Sequence, residues 1–199
     1  FFVYSNENRR YLTGFTGSNG IVIVTKDRDI LMTDSRYTEQ AEEQAKGFEI
    51  ITYNLSPFDT LKTILKQIGS QRIGYESKLL TDYDVRNLRK LSDAVDWIPT
   101  EDIILNIRSI KSDAEIGYIR QAASIADKRF ESLIKLMKAG MKERDVMIEL
   151  EYLMKKNGNE SEPFGMIVAS GKRSSLPHGK ATDKIIENGD MVTIDFGGI

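Results

Sequence analysis

Two residues near the end of the sequence have the chemical types and the surroundings of binding or catalytic groups. His178 is the single histidine among 199 residues, and it stands between a proline and a glycine. A neutral imidazole near pH 7 can donate a hydrogen bond, accept one or pass on a proton. Asp195 interrupts an apolar run, where an ionised carboxylate needs a charged partner, hydrogen bonds or a metal ion. Both residues are therefore candidates for a functional site.

The apolar run around Asp195 predicts a β-strand. Side chains alternate between the two faces of a strand, so Val192, Ile194 and Phe196 should share one face while Asp195 points to the other. This local pattern leaves two interpretations open. Asp195 is either a functional carboxylate or a strand-end aspartate that caps the glycine loop that follows it.

Several familiar kinds of site are excluded because parts of their motifs are missing. The Asp-Phe-Gly triplet at 195–197 also occurs in protein kinases, but the sequence has no kinase glycine-rich loop, Val-Ala-Ile-Lys strand or His-Arg-Asp loop. The glycines of segment 14–20 match neither dinucleotide-binding nor phosphate-loop spacing, and they predict a turn that leads into a strand. One histidine without any cysteine excludes multi-histidine and thiolate zinc sites.

The amino-acid composition limits the kinds of partner that we expect for this protein. The formal net charge is -2, with 40% hydrophobic and 29% charged residues, which indicates a folded domain and gives no support for a nucleic-acid partner. Apolar runs such as residues 21–24 are too short to cross a bilayer, so we expect no membrane partner. The absence of cysteine excludes disulfides and fits a reducing compartment. The expected location is cytoplasmic.

Short strands and helices alternate in the first half of the sequence. Ser56 and Thr81 are predicted helix N-caps, and Gly69 is a predicted helix stop. The predicted strands include residues 20–25, 30–33 and 72–75. This alternation predicts an α/β (α+β) domain with a mixed sheet, which we place at residues 1–107.

Beyond residue 107 the pattern changes to longer helices. Ser112 and Glu115 form a capping box, and apolar residues at spacings of three and four predict an amphipathic helix that continues from there to Gly140. A second helix at 143–156 and strands near 166–169 and 191–196 complete a predicted second domain, 108–199. The basic pair Lys172-Arg173 is expected to lie in a solvated turn.

These motifs together resemble the creatinase/aminopeptidase P family of "pita-bread" metallopeptidases, which includes Xaa-Pro aminopeptidases and prolidases. The resemblance rests on segments 167–179, 188–190 and 192–197, and the spacing from Pro-His-Gly to Asp-Phe-Gly is its most specific part. Residues 108–116 are similar to the opening of that family's catalytic domain. Segments 10–15 and 33–37 are similar to its N-terminal domain.

The resemblance implies a creatinase-type N-terminal domain followed by the beginning of a pita-bread catalytic domain. It also implies two divalent metal ions, manganese, cobalt or zinc, whose bound water attacks the bond before proline; paired cations lower the pKa of that water and stabilise the oxyanion. Asp195 falls on the position of a metal ligand. His178 falls on the position of a histidine that binds or orients the substrate.

The family's other ligands, a second Asp, a His and two Glu, would fall after residue 199. We therefore expect the sequence to be an N-terminal fragment that is inactive by itself, taken from a protein that acts on proline-containing peptides and forms a homodimer. Two alternatives stay open. One is creatinase-like amidinohydrolase activity on the same fold, and the other is a non-catalytic binding module.

Overall fold

The chain forms two compact units, Phe1–Ile110 and Lys111–Ile199. A computed structural model describes residues 1–54, 56–69 and 72–199. The sequence-based boundary at Ile107 lies inside a helix, Ile103–Ser109, and it stays a prediction. Among the helices of the described residues, none is long and apolar enough to span a membrane.

The first unit is built on a mixed β-sheet, as the sequence predicts. Its described strands are β1 Phe2–Val3, β2 Ile21–Val24, β3 Asp29–Asp34, β4 Glu49–Tyr53, β5 Arg72–Glu76 and β6 Asp96–Thr100. They lie in the order β4-β3-β2-β1-β5-β6. Strand β2 is antiparallel to both of its neighbours, whereas β3 with β4, β1 with β5 and β5 with β6 are parallel pairs.

Helices cover both faces of this sheet. They are α1 Asn6–Thr13, α2 Thr38–Gln44, α3 Pro57–Ile68, α4 Asp82–Leu91 and α5 Ile103–Ser109. Because strand side chains alternate, Phe2 and Ile23 join one buried core with residues of α3 and α4. Val3 and Val22 join a second core with residues of α2 and α5.

Local capping explains where several of these helices begin and end. The Ser56 and Thr81 side chains accept hydrogen bonds from the first turns of α3 and α4, which satisfies donors that the helix itself leaves free. Gly69 ends α3 in the left-handed conformation that glycine adopts without strain. These three predictions are confirmed.

The second unit packs two helices against a short antiparallel strand pair. The elements are α6 Asp113–Leu136, α7 Glu143–Lys155, β7 Ile167–Ser170 and β8 Val192–Asp195. Buried residues of α6, α7 and β7, among them Leu133, Leu150 and Val168, form its core. The Ser112–Glu115 capping box opens α6 as predicted.

Helix α6 differs from its prediction in two respects. It ends at Leu136 rather than at Gly140, which lies in the turn before α7. Its apolar stripe is also buried unevenly. Leu133 is fully buried, whereas Ile119 is 54% exposed.

Candidate functional site

Strands β7 and β8 position Asp195. Asp195 is the last residue of β8 and pairs with Ile167 of β7 in antiparallel register. Val192, Ile194 and Phe196 pack against the core of the second unit, while Asp195 is exposed. The predicted division between the two faces of this strand is confirmed, and the Asp195 carboxylate lies on the face away from the core.

The loop that carries His178 follows a 3-10 turn, Gly171–Ser175, and leads back to β7. His178 is exposed, whereas Gly179 beside it is buried. A Cβ on Gly179 would lie 3.0 Å from the Cβ of Ala169 in β7, so this glycine allows the loop to approach the strand closely. Lys180, the next residue, forms a β-bridge with Ile167.

The register of Ile167 brings the two candidate segments together. Ile167 pairs with Asp195 and also with Lys180, two residues after His178. Neighbouring strands are about 4.8 Å apart, so the Lys180 and Asp195 backbones lie on the order of 10 Å from each other across β7. Within the described ranges, neither the His178 nor the Asp195 side chain forms a hydrogen bond or an ion pair. Both are therefore free to meet a ligand.

The residues present do not by themselves form a metal site. The described part of the chain contains no group of three or more His, Cys, Asp or Glu side chains that could hold an ion. Protein-bound zinc takes four ligands, and harder divalent cations take more. The single carboxylate of Asp195 can supply one ligand and cannot complete such a site.

A buried carboxylate that the sequence pattern does not single out lies close to this region. Glu143, the first residue of α7, is 0% exposed. Its carboxylate accepts hydrogen bonds from Ser170 N at 2.7 Å and Oγ at 3.0 Å, and from Thr182 N at 3.1 Å and Oγ1 at 2.7 Å. Arg173 Nε donates a further bond at 3.2 Å. We call these four residues the Glu143 cluster.

The Glu143 cluster keeps its carboxylate ionised. Burial raises the pKa of Glu143, but the hydrogen bonds from Thr182 and Ser170 favour the charged form more strongly and lower the pKa to about 2. The same contacts correct one expectation. Arg173 is not a purely solvated residue, because its side chain is only 31% exposed and forms an ion pair with Glu143.

A second ion pair lies beside this cluster. Lys184 Nζ donates to Ser170 Oγ at 3.0 Å and to Asp190 Oδ2 at 2.7 Å. The backbone N–H of Glu187 and the Lys184 ammonium both lower the pKa of Asp190. Ser170, at the end of β7, is therefore hydrogen-bonded to a member of each ion pair, Arg173–Glu143 and Lys184–Asp190.

Residues 34–37, to which the sequence pattern assigns no role, form a polar group at the end of β3. Arg36 donates two hydrogen bonds to the Asp34 carboxylate, at 2.9 and 2.8 Å, and Asn19 donates a third at 2.7 Å. The bond from Arg36 is the main reason why the pKa of Asp34 is strongly lowered. Asp34 also caps the short 3-10 turn Ser35–Tyr37.

Three cavities lie in the first unit. Their volumes are about 280, 140 and 230 Å³, and residues between Phe1 and Arg108 line them. His178 and Asp195, both exposed, line none of these three.

Two segments that match known protein families together cover most of the chain. Residues 1–110 match the Creatinase/Prolidase N-terminal domain, and residues 117–199 match Metallopeptidase family M24. The fold class and the resemblance inferred from the sequence are thereby confirmed. His178 and Asp195 lie within the second matched segment.

Sequence matches to individual proteins agree with these family matches. The chain is 44% identical over 195 residues to the uncharacterized peptidase YqhT of Bacillus subtilis, and this match covers 98% of the chain and 55% of the relative. It is 36% identical over 199 residues to the Xaa-Pro dipeptidase of Pyrococcus furiosus, covering 100% of the chain and 56% of that protein. The chain thus spans about half the length of these curated relatives.

Solved structures share the fold closely. An Xaa-Pro dipeptidase from Bacillus anthracis superposes with a TM-score of 0.93 at 41% identity, over 99% of this chain and 55% of that one. An X-Pro aminopeptidase from Thermotoga maritima superposes with a TM-score of 0.91 at 35% identity, over 98% and 55% of the two chains. Residues 117–199 of the second unit match Metallopeptidase family M24, and the chain belongs to the creatinase/prolidase N-terminal domain family.

Proposed function

We propose that the protein is a metal-dependent peptidase that cleaves the bond before proline, as an Xaa-Pro dipeptidase or aminopeptidase. The observation that carries this proposal is the pairing of Ile167 with Asp195 and with Lys180, which places an unpaired carboxylate and the His178 loop on either side of β7. The names of the Pyrococcus, Bacillus anthracis and Thermotoga relatives support the choice of substrate.

The proposal gives each candidate residue one role. Asp195 supplies one carboxylate ligand to a dinuclear metal site, which when complete would activate a water molecule for attack on the peptide. His178 binds the peptide backbone through its imidazole, which can donate to a carbonyl or accept from an N–H. The two roles require that both side chains be free in the absence of substrate, and their exposure agrees with this.

Further parts of the proposal have other sources. The domain boundary near residue 107 comes from the change in sequence pattern, and a cytoplasmic location comes from composition. A homodimeric assembly, and manganese, cobalt or zinc as the metal, come from the family resemblance. Because the chain spans about 55% of its relatives, its own described residues are expected to show no peptidase activity without further ligands.

The test uses the full product of the gene that encodes this chain. Hydrolysis of Xaa-Pro dipeptides and longer Xaa-Pro peptides should require a divalent cation, and the matched Xaa-Ala peptides should be poor substrates. Asp195→Asn should abolish turnover through loss of metal, whereas His178→Ala should retain metal and lose up to about 100-fold in kcat/KM through poor substrate orientation.

A full product that binds divalent metal yet cleaves no Xaa-Pro peptide would overturn the proposal. Hydrolysis of creatine in its place would support the amidinohydrolase alternative. The 199-residue chain, assayed in parallel, serves as the control that is expected to be inactive.

A further inference from the structure

The two ends of the His178 loop are held by one carboxylate. Ser170 is the last residue of β7, Thr182 lies 12 positions later, and both donate backbone and side-chain hydrogen bonds to Glu143. His178 lies between these two anchor points. Each loop residue that is fixed in one conformation loses conformational entropy. Because both ends of the loop are held by the same rigid anchor, the residues between them have fewer accessible conformations.

Arg173 extends this anchor into the loop. Its Nε donates to Glu143, and its Nη2 donates to the carbonyl oxygen of Lys180 at 2.7 Å. The guanidinium therefore connects the buried carboxylate to a position two residues after His178. A planar fork of donors can make both bonds at once, which a lysine ammonium in the same place would do poorly.

We propose that Glu143 is a positioning residue for His178, acting through Ser170, Thr182 and Arg173 to hold the loop against β7. This inference rests on the proposed function for the role of His178, but the geometry it invokes is testable without any activity. Glu143 itself touches no substrate in this scheme, because it is fully buried.

The first experiment measures the mobility of the loop directly. Selective ¹⁵N labelling of histidine gives a single backbone amide signal from the 199-residue chain, because His178 is its one histidine. In the wild type the order parameter of this amide should be that of a rigid backbone, about 0.85, and in Glu143→Gln it should fall below about 0.6.

A matched control separates positioning from general loss of stability. Glu76→Gln alters another buried carboxylate with several hydrogen bonds, but its partners Tyr4, Ser5 and Asn8 all belong to the first unit. It should leave the His178 signal unchanged. If Glu143→Gln does not fold, Thr182→Val removes the hydroxyl that donates to Glu143 and accepts from Lys184 N. It should give a smaller decrease in the order parameter. A rigid His178 amide in a folded Glu143→Gln or Thr182→Val protein would overturn the inference.

The second experiment asks whether the positioning affects catalysis. In the full gene product, Glu143→Gln should lower kcat/KM for an Xaa-Pro peptide by about 10- to 100-fold. In a His178→Ala background the same substitution should have little further effect, because its influence acts through that side chain. Equal losses in both backgrounds would contradict the inference. Absence of wild-type Xaa-Pro cleavage would contradict only the proposed function, since the order parameter would still report on the loop.

Discussion

Glu76 and Glu143 are both buried carboxylates, one in each unit, and their partners are arranged in different ways. Glu76 ends β5 and accepts from Tyr4 N at 2.7 Å, Ser5 N at 2.9 Å and Ser5 Oγ at 3.3 Å, with a further bond from Asn8. These donors are neutral and come from one continuous stretch where β1 leads into α1. Glu76 therefore joins neighbouring parts of the sheet framework.

The partners of Glu143 are instead spread along a loop and include a cation. Ser170, Arg173 and Thr182 lie 27, 30 and 39 residues away in sequence. The comparison indicates that one buried carboxylate stabilises a framework, while the other stabilises the segment that carries a candidate functional residue. Substitutions at the two positions should therefore affect different probes.

The largest expected effect is that of Glu143→Ala on the second unit. The substitution leaves four donor groups and the partly exposed Arg173 charge without the Glu143 acceptor. Loss of one member of a buried ion pair typically costs about 3–5 kcal/mol, and the lower end of this range is expected here. Glu76→Ala leaves neutral donors only, so a smaller cost of about 1–3 kcal/mol is expected in the first unit.

Two unit-specific probes make this comparison measurable. Trp97, the single tryptophan, is buried in the first unit, and the ¹⁵N-labelled His178 amide reports on the second. In urea titrations, Glu143→Ala should shift the His178 transition more than the Trp97 transition, and Glu76→Ala should do the opposite. Equal shifts of both probes by either variant would contradict the proposed separation.

The next effect is a dependence of stability on pH that Glu143 contributes. Its pKa is about 2 in the folded chain and 4.5 as the reference value for a free glutamate. The stabilisation is therefore fully present above pH 4.5, and it is lost progressively as the pH falls toward 2, because the unfolded chain takes up the proton first. Urea midpoints measured with the His178 probe should fall across this range.

Glu143→Gln isolates that contribution. Asp190, whose pKa is also lowered, remains in the variant and continues to contribute a dependence of the same sign. The profile of the variant should therefore be flatter than that of the wild type without becoming flat. Parallel profiles for the two proteins would show that Glu143 does not titrate as its contacts indicate.

The Arg36–Asp34 ion pair of the first unit, in which only Arg36 is exposed, should matter less. Arg36 is 70% exposed while its partner Asp34 is 12% exposed, and solvent-exposed pairs usually contribute about 0–1 kcal/mol. Arg36→Ala should shift the Trp97 transition by less than about 1 kcal/mol. Asn19 still donates to Asp34 in that variant, and Asn19→Ala in the same background tests whether the remaining bond compensates. A larger loss than that of Glu76→Ala would contradict the ranking.

A feature of this fold could be predicted from the sequence when the residues that cause it lie close together along the chain. The caps at Ser56, Thr81 and Ser112 were predictable because the side chain and the amide it accepts from are three residues apart. Strand β1 was missed because it contains two residues and takes its stability from β2 and β5. A two-residue stretch has too little pattern to detect.

The functional region shows the same dependence. Alternation in β8 was sufficient to place Asp195 on the face opposite the apolar residues. Residue type, the flanking proline and glycine, and then the motif resemblance singled out His178. Glu143 gave only the signal of an acidic residue at the start of a helix, which is common on solvent-facing helix ends. Its burial follows from partners 27 to 39 residues later, and no local pattern encodes such contacts.

The smallest expected effect on stability belongs to the candidate functional residues themselves. Both side chains are exposed, and substitutions at such surface positions usually change stability by no more than about 0.5 kcal/mol. His178→Ala and Asp195→Asn should therefore leave both urea transitions close to those of the wild type. If either variant destabilised the second unit as strongly as Glu143→Ala, that residue would be part of the packing that holds the loop. Glu143, as the residue that anchors the loop, could then no longer be distinguished from the exposed candidate residues.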